Sequence, residues 1–147
     1  MHDIRLIREN PAAFDAALAR RGHGAVAETL LAMDGQSRTI QTELQTAQAR
    51  RNEASKGIGA AMGRGDLAAA DAMKAEVTAL KDRMVALEAA ERGARAALHD
   101  ALAALPNLPA DDVPGGADED GNVELARWGS PRAFDFTPRE HADIGPT

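Results

Sequence analysis

Small and apolar residues recur along the chain at Val26, Leu30, Met33, Ile40, Leu44, Ala47, Ala54, Ile58 and Ala61. The steps between them alternate four and three, with Ser37 and Arg51 filling the two positions missing from the series. A second run repeats the pattern at Ala70, Met73, Val77, Leu80, Met84, Leu87, Ala94, Leu98, Ala101 and Leu105, with Glu91 as its polar member. A repeat of 3.5 residues held this long keeps one seam of a helix facing a partner, which is the requirement of a coiled coil. The two runs also mirror each other about Arg64: Ile58 falls opposite Ala70, Leu44 opposite Met84 and Leu30 opposite Leu98. Two unrelated helices have no reason to share a centre of symmetry, so the pattern predicts one antiparallel hairpin.

Its limbs are expected over 25–62 and 66–105, with a tight turn at 63–66. Gly63 and Gly65 allow the reversal, and Asp66 caps the returning helix. At 1.5 Å per residue the first limb reaches about 55 Å. Gly35, Gly57 and Gly59 weaken it by about 1 kcal/mol each relative to Ala, so looser order is expected around 57–65. Upstream, Asp3 and Asn10-Pro11 read as starts of two short helices within 3–22, and Gly22 as the stop of the second. Such helices are too short to stand alone. Ile4, Ile7, Phe14 and Leu18 are therefore expected to pack on Leu30, Leu31, Leu98 and Leu102 at the hairpin's base.

Pro106 ends the second limb, and five more prolines follow it, together with Gly115-Gly116 and the acidic run Asp118-Glu119-Asp120. This stretch reads as an extended linker, partly polyproline-like. Residues 122–128 alternate well enough for one short strand, with Val123, Leu125 and Arg127 on one side. The predicted fold class is thus all-α: a long antiparallel two-helix coiled-coil hairpin, short N-terminal helices packed at its base, and an extended C-terminal linker with one strand.

Composition sharpens this picture. Aromatic residues make up 3% of the chain, and the 44% hydrophobic fraction is carried mostly by Ala, which favours helix but buries little area. An elongated body fits better than a thick globular core. The absence of Cys excludes disulfides, thiolate metal sites and a Cys nucleophile. There is no signal-peptide pattern at the start and no apolar run long enough for a membrane span, so a cytoplasmic protein without membrane contact is expected. The glycines at 57, 59, 63 and 65 end a helix instead of opening one after a strand, so they do not make a nucleotide loop. Asp118, Asp120 and Gly121 echo a calcium loop, but Gly116 and Arg127 stand where its ligands should be. His2, His23, His99 and His141 have no metal-ligand spacing. No catalytic, cofactor-binding or metal-binding residue is assigned.

Charge is where a binding role emerges. The net charge of −6 is unevenly spread: residues 36–98 sum to +2 and the rest to −8. The arm carries Arg38, Arg50, Arg51, Lys56, Arg64, Lys74, Lys81, Arg83, Arg92 and Arg95. Any one of them is also explained as a solvated side chain or an i,i+4 ion pair, as Glu91 with Arg95 suggests. Arg51 stands apart because it occupies a seam position opposite Val77. Either its stem lies in the seam with its head reaching out, or it sets register by pairing with Glu76 or Glu53. Arg50, Arg51, Lys56, Arg64 and Lys74 gather on the outer half, where a long lever could grip a phosphate backbone. No aromatic stacking platform lies there, so recognition would be by charge and shape, as suits folded RNA.

The string RRNEASKGIG from Arg50 to Gly59 resembles the arm signature of bacterial seryl-tRNA synthetases, with Arg51, Asn52, Ser55, Lys56, Ile58 and Gly59 as matching positions. The string PNLPADDVPGGADEDGNVELARWGSPRAFDF from Pro106 to Phe136 resembles the segment that joins that family's arm to its catalytic domain. The opening, with Arg8-Glu9-Asn10-Pro11 and Ala19-Arg20-Arg21-Gly22, fits as well. The resemblance implies a tRNA-binding arm domain over 1–105, followed over 106–147 by a linker and the start of a class II catalytic domain. It implies docking on the long variable arm and elbow of serine tRNA, with selenocysteine tRNA as a second candidate partner. The family's whole enzyme is a homodimer that activates serine with ATP and magnesium and transfers it to the tRNA 3′ end; none of its catalytic motifs lies in these residues. The candidate nucleic-acid-binding set is Arg50, Arg51, Asn52, Ser55, Lys56, Arg64, Lys74 and Lys81. The competing expectation is a coiled-coil protein-interaction or chaperone-like module without RNA binding, which would use exposed apolar residues near the tip, Met62 and Leu67.

Overall fold

The structure, a computed structural model, describes residues 2–116 and 118–145. Met1, Ala117 and Pro146-Thr147, which belong to the ranges expected above, lie outside the described residues. Helix α1 spans Ile4–Glu9, α2 Pro11–Ala19, α3 Ala27–Gly63 and α4 Leu67–Ala103. A single 3-10 turn at Glu119–Gly121 and the one-turn helix α5 at His141–Ile144 follow. Helices α3 and α4 pack along their length as a hairpin. Every seam position foretold by the repeat, from Val26 to Ala61 and from Ala70 to Leu105, is buried or half-buried. In the outer half the fully buried members are Ala47, Ala54, Ala61 and Ala70, with Met84 nearer the base. Small residues let two helices approach closely, and a pair with no third neighbour leaves its larger seam residues partly wet.

Register shows in the contacts across the hairpin. Arg50 pairs with Glu76 and Arg83 with Glu43, two pairs whose numbers share one sum, as pairs about a single centre must. The reversal is a Schellman turn: the Asp66 N–H donates to the Ala61 carbonyl at 3.0 Å and the Gly65 N–H to that of Met62 at 3.1 Å. Gly65 takes φ +74, a conformation L side chains rarely adopt. Asp66 then accepts from the Ala69 N–H at 3.0 Å and starts α4. Gly22 closes α2 the same way, with His23 N–H to Leu18 O and Gly22 N–H to Ala19 O.

The base carries the apolar core. Ile7, Phe14, Leu18, Ala27, Leu30 and Leu102 are buried together, with Ile4, Val26, Leu31, Leu98, Ala101 and Leu105 packed around them. The short helices are capped as their sequences dictate: Asp3 accepts from the Arg5 N–H and Asn10 from that of Ala13. Helix α3 begins two residues later than the repeat suggests, because its first free N–H groups are held from outside. Asp15 of α2 accepts from Val26 N–H at 2.9 Å and Ala27 N–H at 3.0 Å, a cap lent by a neighbouring helix. A second polar tie joins α1 to α3. The Asp34 carboxylate is only 5% exposed, and its Oδ2 lies 3.1 Å from Arg38 Nε and 3.3 Å from Arg8 Nε. Neither guanidinium presents an N–H squarely to that oxygen, so the tie is ionic more than hydrogen-bonded. At the far end α4 stops at Ala103, since Pro106 has no N–H to donate and restricts Leu105 before it.

One expectation fails. Residues 122–128 form no strand, and the described residues contain none. Arg127 instead reaches Glu124 through two hydrogen bonds of 3.1 and 2.8 Å. A strand would put residues three apart on opposite faces, and no neighbouring strand is there to take up the backbone groups. Leu125 is 93% exposed and Trp128 fully so.

Asp15→Ala should lower unfolding stability by about 1 kcal/mol, as loss of a helix cap does, measured by urea denaturation followed by circular dichroism. The same assay separates two glycines of the arm. A Cβ at Gly59 would meet nothing within 4 Å, so Gly59→Ala should stabilise by up to about 1 kcal/mol. Gly65→Ala forces a side chain into a left-handed turn and should destabilise by about 1–2 kcal/mol.

Candidate nucleic-acid interface

Two long edges flank the seam, and they differ in charge. Residues that directly precede a seam position, 43 and 50 on α3 and 76 and 83 on α4, share one edge. Here Arg50 is bound on three sides: Nε to Glu76 Oε1 at 2.6 Å, Nη2 to Glu76 Oε2 at 2.9 Å, and Nη1 to Glu53 Oε2 at 3.0 Å. These hydrogen bonds, that to Glu76 foremost and that to Glu53 next, raise the guanidinium pKa further above its already high value. Arg83 reaches Glu43 at 3.1 Å. Between the two pairs lies a shallow groove floored by Ala47 and Leu80. This edge is closed and electrically satisfied.

The opposite edge consists of residues that directly follow seam positions. The register sets Ser55 across from Lys74 and Gln48 across from Lys81, with Asn52 and Lys56 on the outward side of α3. From 35 to 63, α3 carries two carboxylates, Glu43 and Glu53, and both lie on the closed side. Lys74 is tied by Asp71 at 2.9 Å within its own helix. Lys81 is exposed on this edge, Lys56 on the outward face of α3, and Arg64 at the tip. None of these three has an ion-pair partner among the described residues. Nearer the base, Arg92 and Arg95 continue the edge, with Arg95 paired to Glu91 one turn away.

The structure therefore divides the candidate set. Asn52, Ser55, Lys74 and Lys81 lie along the open edge, with Lys56 on the outward face of α3 and Arg64 at the tip. Arg51 sits in the seam, half-buried, and its head leaves it to donate to Asn52 Oδ1 at 2.8 Å. Of the two roles open to it, the stem-in-seam one is observed. The pairing with Glu76 across the hairpin and with Glu53 on the same helix belongs to its neighbour Arg50, which sits on the closed edge turned toward carboxylates. The sequence held a signal for this: 43, 50, 76 and 83 each precede a seam residue, and each facing pair combines one Arg with one Glu. Among the described residues no three His, Asp or Glu side chains gather so as to hold a metal ion. No helix is long and apolar enough to cross a membrane.

Comparison with known proteins follows the same lines. The seryl-tRNA synthetase N-terminal domain family matches residues 1–109. A serine–tRNA ligase of Novosphingobium aromaticivorans is 64% identical over 146 residues, covering 99% of this chain and 34% of its own length. One of Sphingopyxis alaskensis is 66% identical with the same coverage. The chain thus spans about a third of the length of the curated relatives it matches. Among solved structures, seryl-tRNA synthetase from Pyrococcus horikoshii complexed with ATP superposes with a TM-score of 0.80 and 30% identity, over 88% of this chain and 29% of that one.

If Arg50 braces the hairpin, Arg50→Glu should lower the thermal midpoint, and adding Glu76→Arg should recover most of the loss. Circular dichroism melts at low salt measure both, and the recovery should shrink as salt screens the pair.

Proposed function

The chain belongs to the seryl-tRNA synthetase N-terminal domain family, and on that premise we propose that its hairpin is a tRNA-binding arm that docks on the long variable arm and elbow of serine tRNA. The observation that carries this reading is the unequal treatment of the two edges. One is neutralised by its own ion pairs, while the other offers Lys81, with Lys56 on the adjoining outward face of α3 and Arg64 at the tip, to an anionic surface. A rigid rod with one cationic edge and no aromatic platform suits the shape and phosphates of a folded RNA. Asn52 and Ser55 add neutral hydrogen-bonding groups to that edge. Arg50 and Arg51 act on the arm itself, by bracing it and by placing Asn52.

For the whole polypeptide we propose serine–tRNA ligase activity: activation of serine with ATP and magnesium, then transfer to the tRNA 3′ end, in a cytoplasmic homodimer. Support comes from the names of the relatives and from the ATP in the Pyrococcus horikoshii structure. No residue of this chain is given a part in that chemistry. Residues 1–105 are then the arm domain, and 106–147 the linker and opening of a class II catalytic domain. The exposed Val123, Leu125, Trp128, Phe134 and Phe136 suit a segment that finds its cover in further chain. Selenocysteine tRNA is a second proposed ligand, since it shares the chemistry the arm would read.

A protein-interaction role has one observation in its favour: Met62 and Leu67 are 50% and 63% exposed at the tip. A gel-shift titration with serine tRNA, and with the same tRNA lacking its long variable arm, separates the readings. Tight binding to the first and at least tenfold weaker binding to the second is expected. Equal affinity for both would overturn the RNA assignment in favour of nonspecific charge or a protein partner. Lys56→Glu with Arg64→Glu should weaken binding about tenfold or more without loss of helicity. The slope of log K against log salt should also fall by roughly 0.7–0.9 for each phosphate contact removed. Neutralising Glu43 and Arg83 together on the closed edge should leave affinity within about twofold.

A further inference from the structure

A proline-rich stretch after a helix is ordinarily a free tether: it has few N–H donors and its carbonyls have no partners of their own. Here those carbonyls are taken up by side chains of the base. His2 Nε2 lies 2.9 Å from the Pro106 carbonyl while its ring packs edge-on against Phe14, centroids 5.2 Å apart. Arg21 Nη1 donates to the Asn107 carbonyl at 2.9 Å. Arg20 spans two more, donating through Nη1 to Ala110 O at 3.2 Å and through Nη2 to Val113 O. A turn closed by the Val113 N–H on the Ala110 carbonyl, at 3.2 Å, brings both acceptors to one guanidinium. The planar fork of Arg can hold two carbonyls at a fixed separation, which a lysine ammonium does not enforce. Arg20 and Arg21 are themselves aimed by the Schellman turn at Gly22 and by Leu18, fully buried in the core beneath them. Beyond Val113 no hydrogen bond or ion pair among the described residues ties the chain to the helices.

We propose that His2, Arg20 and Arg21 clamp residues 106–113 to the base as a rigid extension of the arm, so that the first free joint comes after Val113 and not at Pro106. The orientation of whatever follows the arm is then set by the base of the hairpin, with His2, Arg20 and Arg21 as positioning residues. The joint falls at Pro114-Gly115-Gly116, where two glycines in sequence permit it.

The chain has no Cys, so a spin-label pair can be placed without background. Labels at Gln45→Cys on α3 and Asp112→Cys in the clamped segment, both exposed positions, report the distance between arm and linker by pulsed electron paramagnetic resonance. A narrow distance distribution is expected in the parent. In Arg20→Ala with Arg21→Ala its width should at least double, while helicity and thermal midpoint stay close to the parent's. Arg20→Lys, which loses the fork, should fall between. A distribution already broad in the parent, or one unchanged in the double variant, would overturn the clamp. The measurement needs no RNA, so its outcome is separate from that of the tRNA reading.

Discussion

Two helices that beyond their base touch only each other must keep one stripe in contact over their whole length, and everything else in this molecule is arranged around that requirement. A straight helix repeats every 3.6 residues, so a sequence period of 3.5 holds the stripe in place only if the pair supercoils. Alanine at 47, 54, 61 and 70 brings the outer halves close but removes little apolar area from water. The outer rod is therefore held by geometry, a tight turn and edge ion pairs more than by core. The bulk of the buried apolar volume lies at the other end, where Ile7, Phe14 and Leu18 close over the roots of both limbs.

That division gives the base two tasks. It supplies the cooperative core the rod lacks, and it fixes where the rod begins. Asp15 does the second by lending its carboxylate to the first N–H groups of α3, and Asp34 ties α1 to the same helix through Arg8 and Arg38. With the linker's carbonyls held by Arg20 and Arg21, the base becomes the point from which both the rod and the exit of the chain take their direction.

The rod's surface follows from the same seam. Each edge is defined by its distance from the seam residues, so one heptad repeat that buries apolar side chains also sorts charges. Glu43, Glu53 and Glu76 fall on one edge, where Arg50 and Arg83 absorb them, while Asp71 and Glu91 each take up one cation of the other. The other edge is left with more cations than partners. A surplus of cations of this kind needs no pocket, only that fewer of the protein's own acids fall beside it.

Much of this was legible in the residue pattern. A 3.5 period, a shared centre of symmetry and the Gly65-Asp66 turn signals are local or periodic features, and together they determined the hairpin, its register and the residues of its base core. The caps at Asp3, Asn10 and Asp66 and the stops at Gly22 and Pro106 depend on near neighbours in sequence and were equally readable. What only the tertiary structure decided were choices among partners distant along the chain. Arg50 and Arg51 are adjacent and alike, and a rotation of 100° between them sends one to Glu76 and the other into the seam. Asp15 and Asp34 look like ordinary surface acids until the fold sets Asp15 of α2 at the start of α3 and lays Arg8 of α1 against Asp34. The stretch 122–128 alternates like a strand yet forms none among the described residues, because alternation states a preference and a sheet needs a partner.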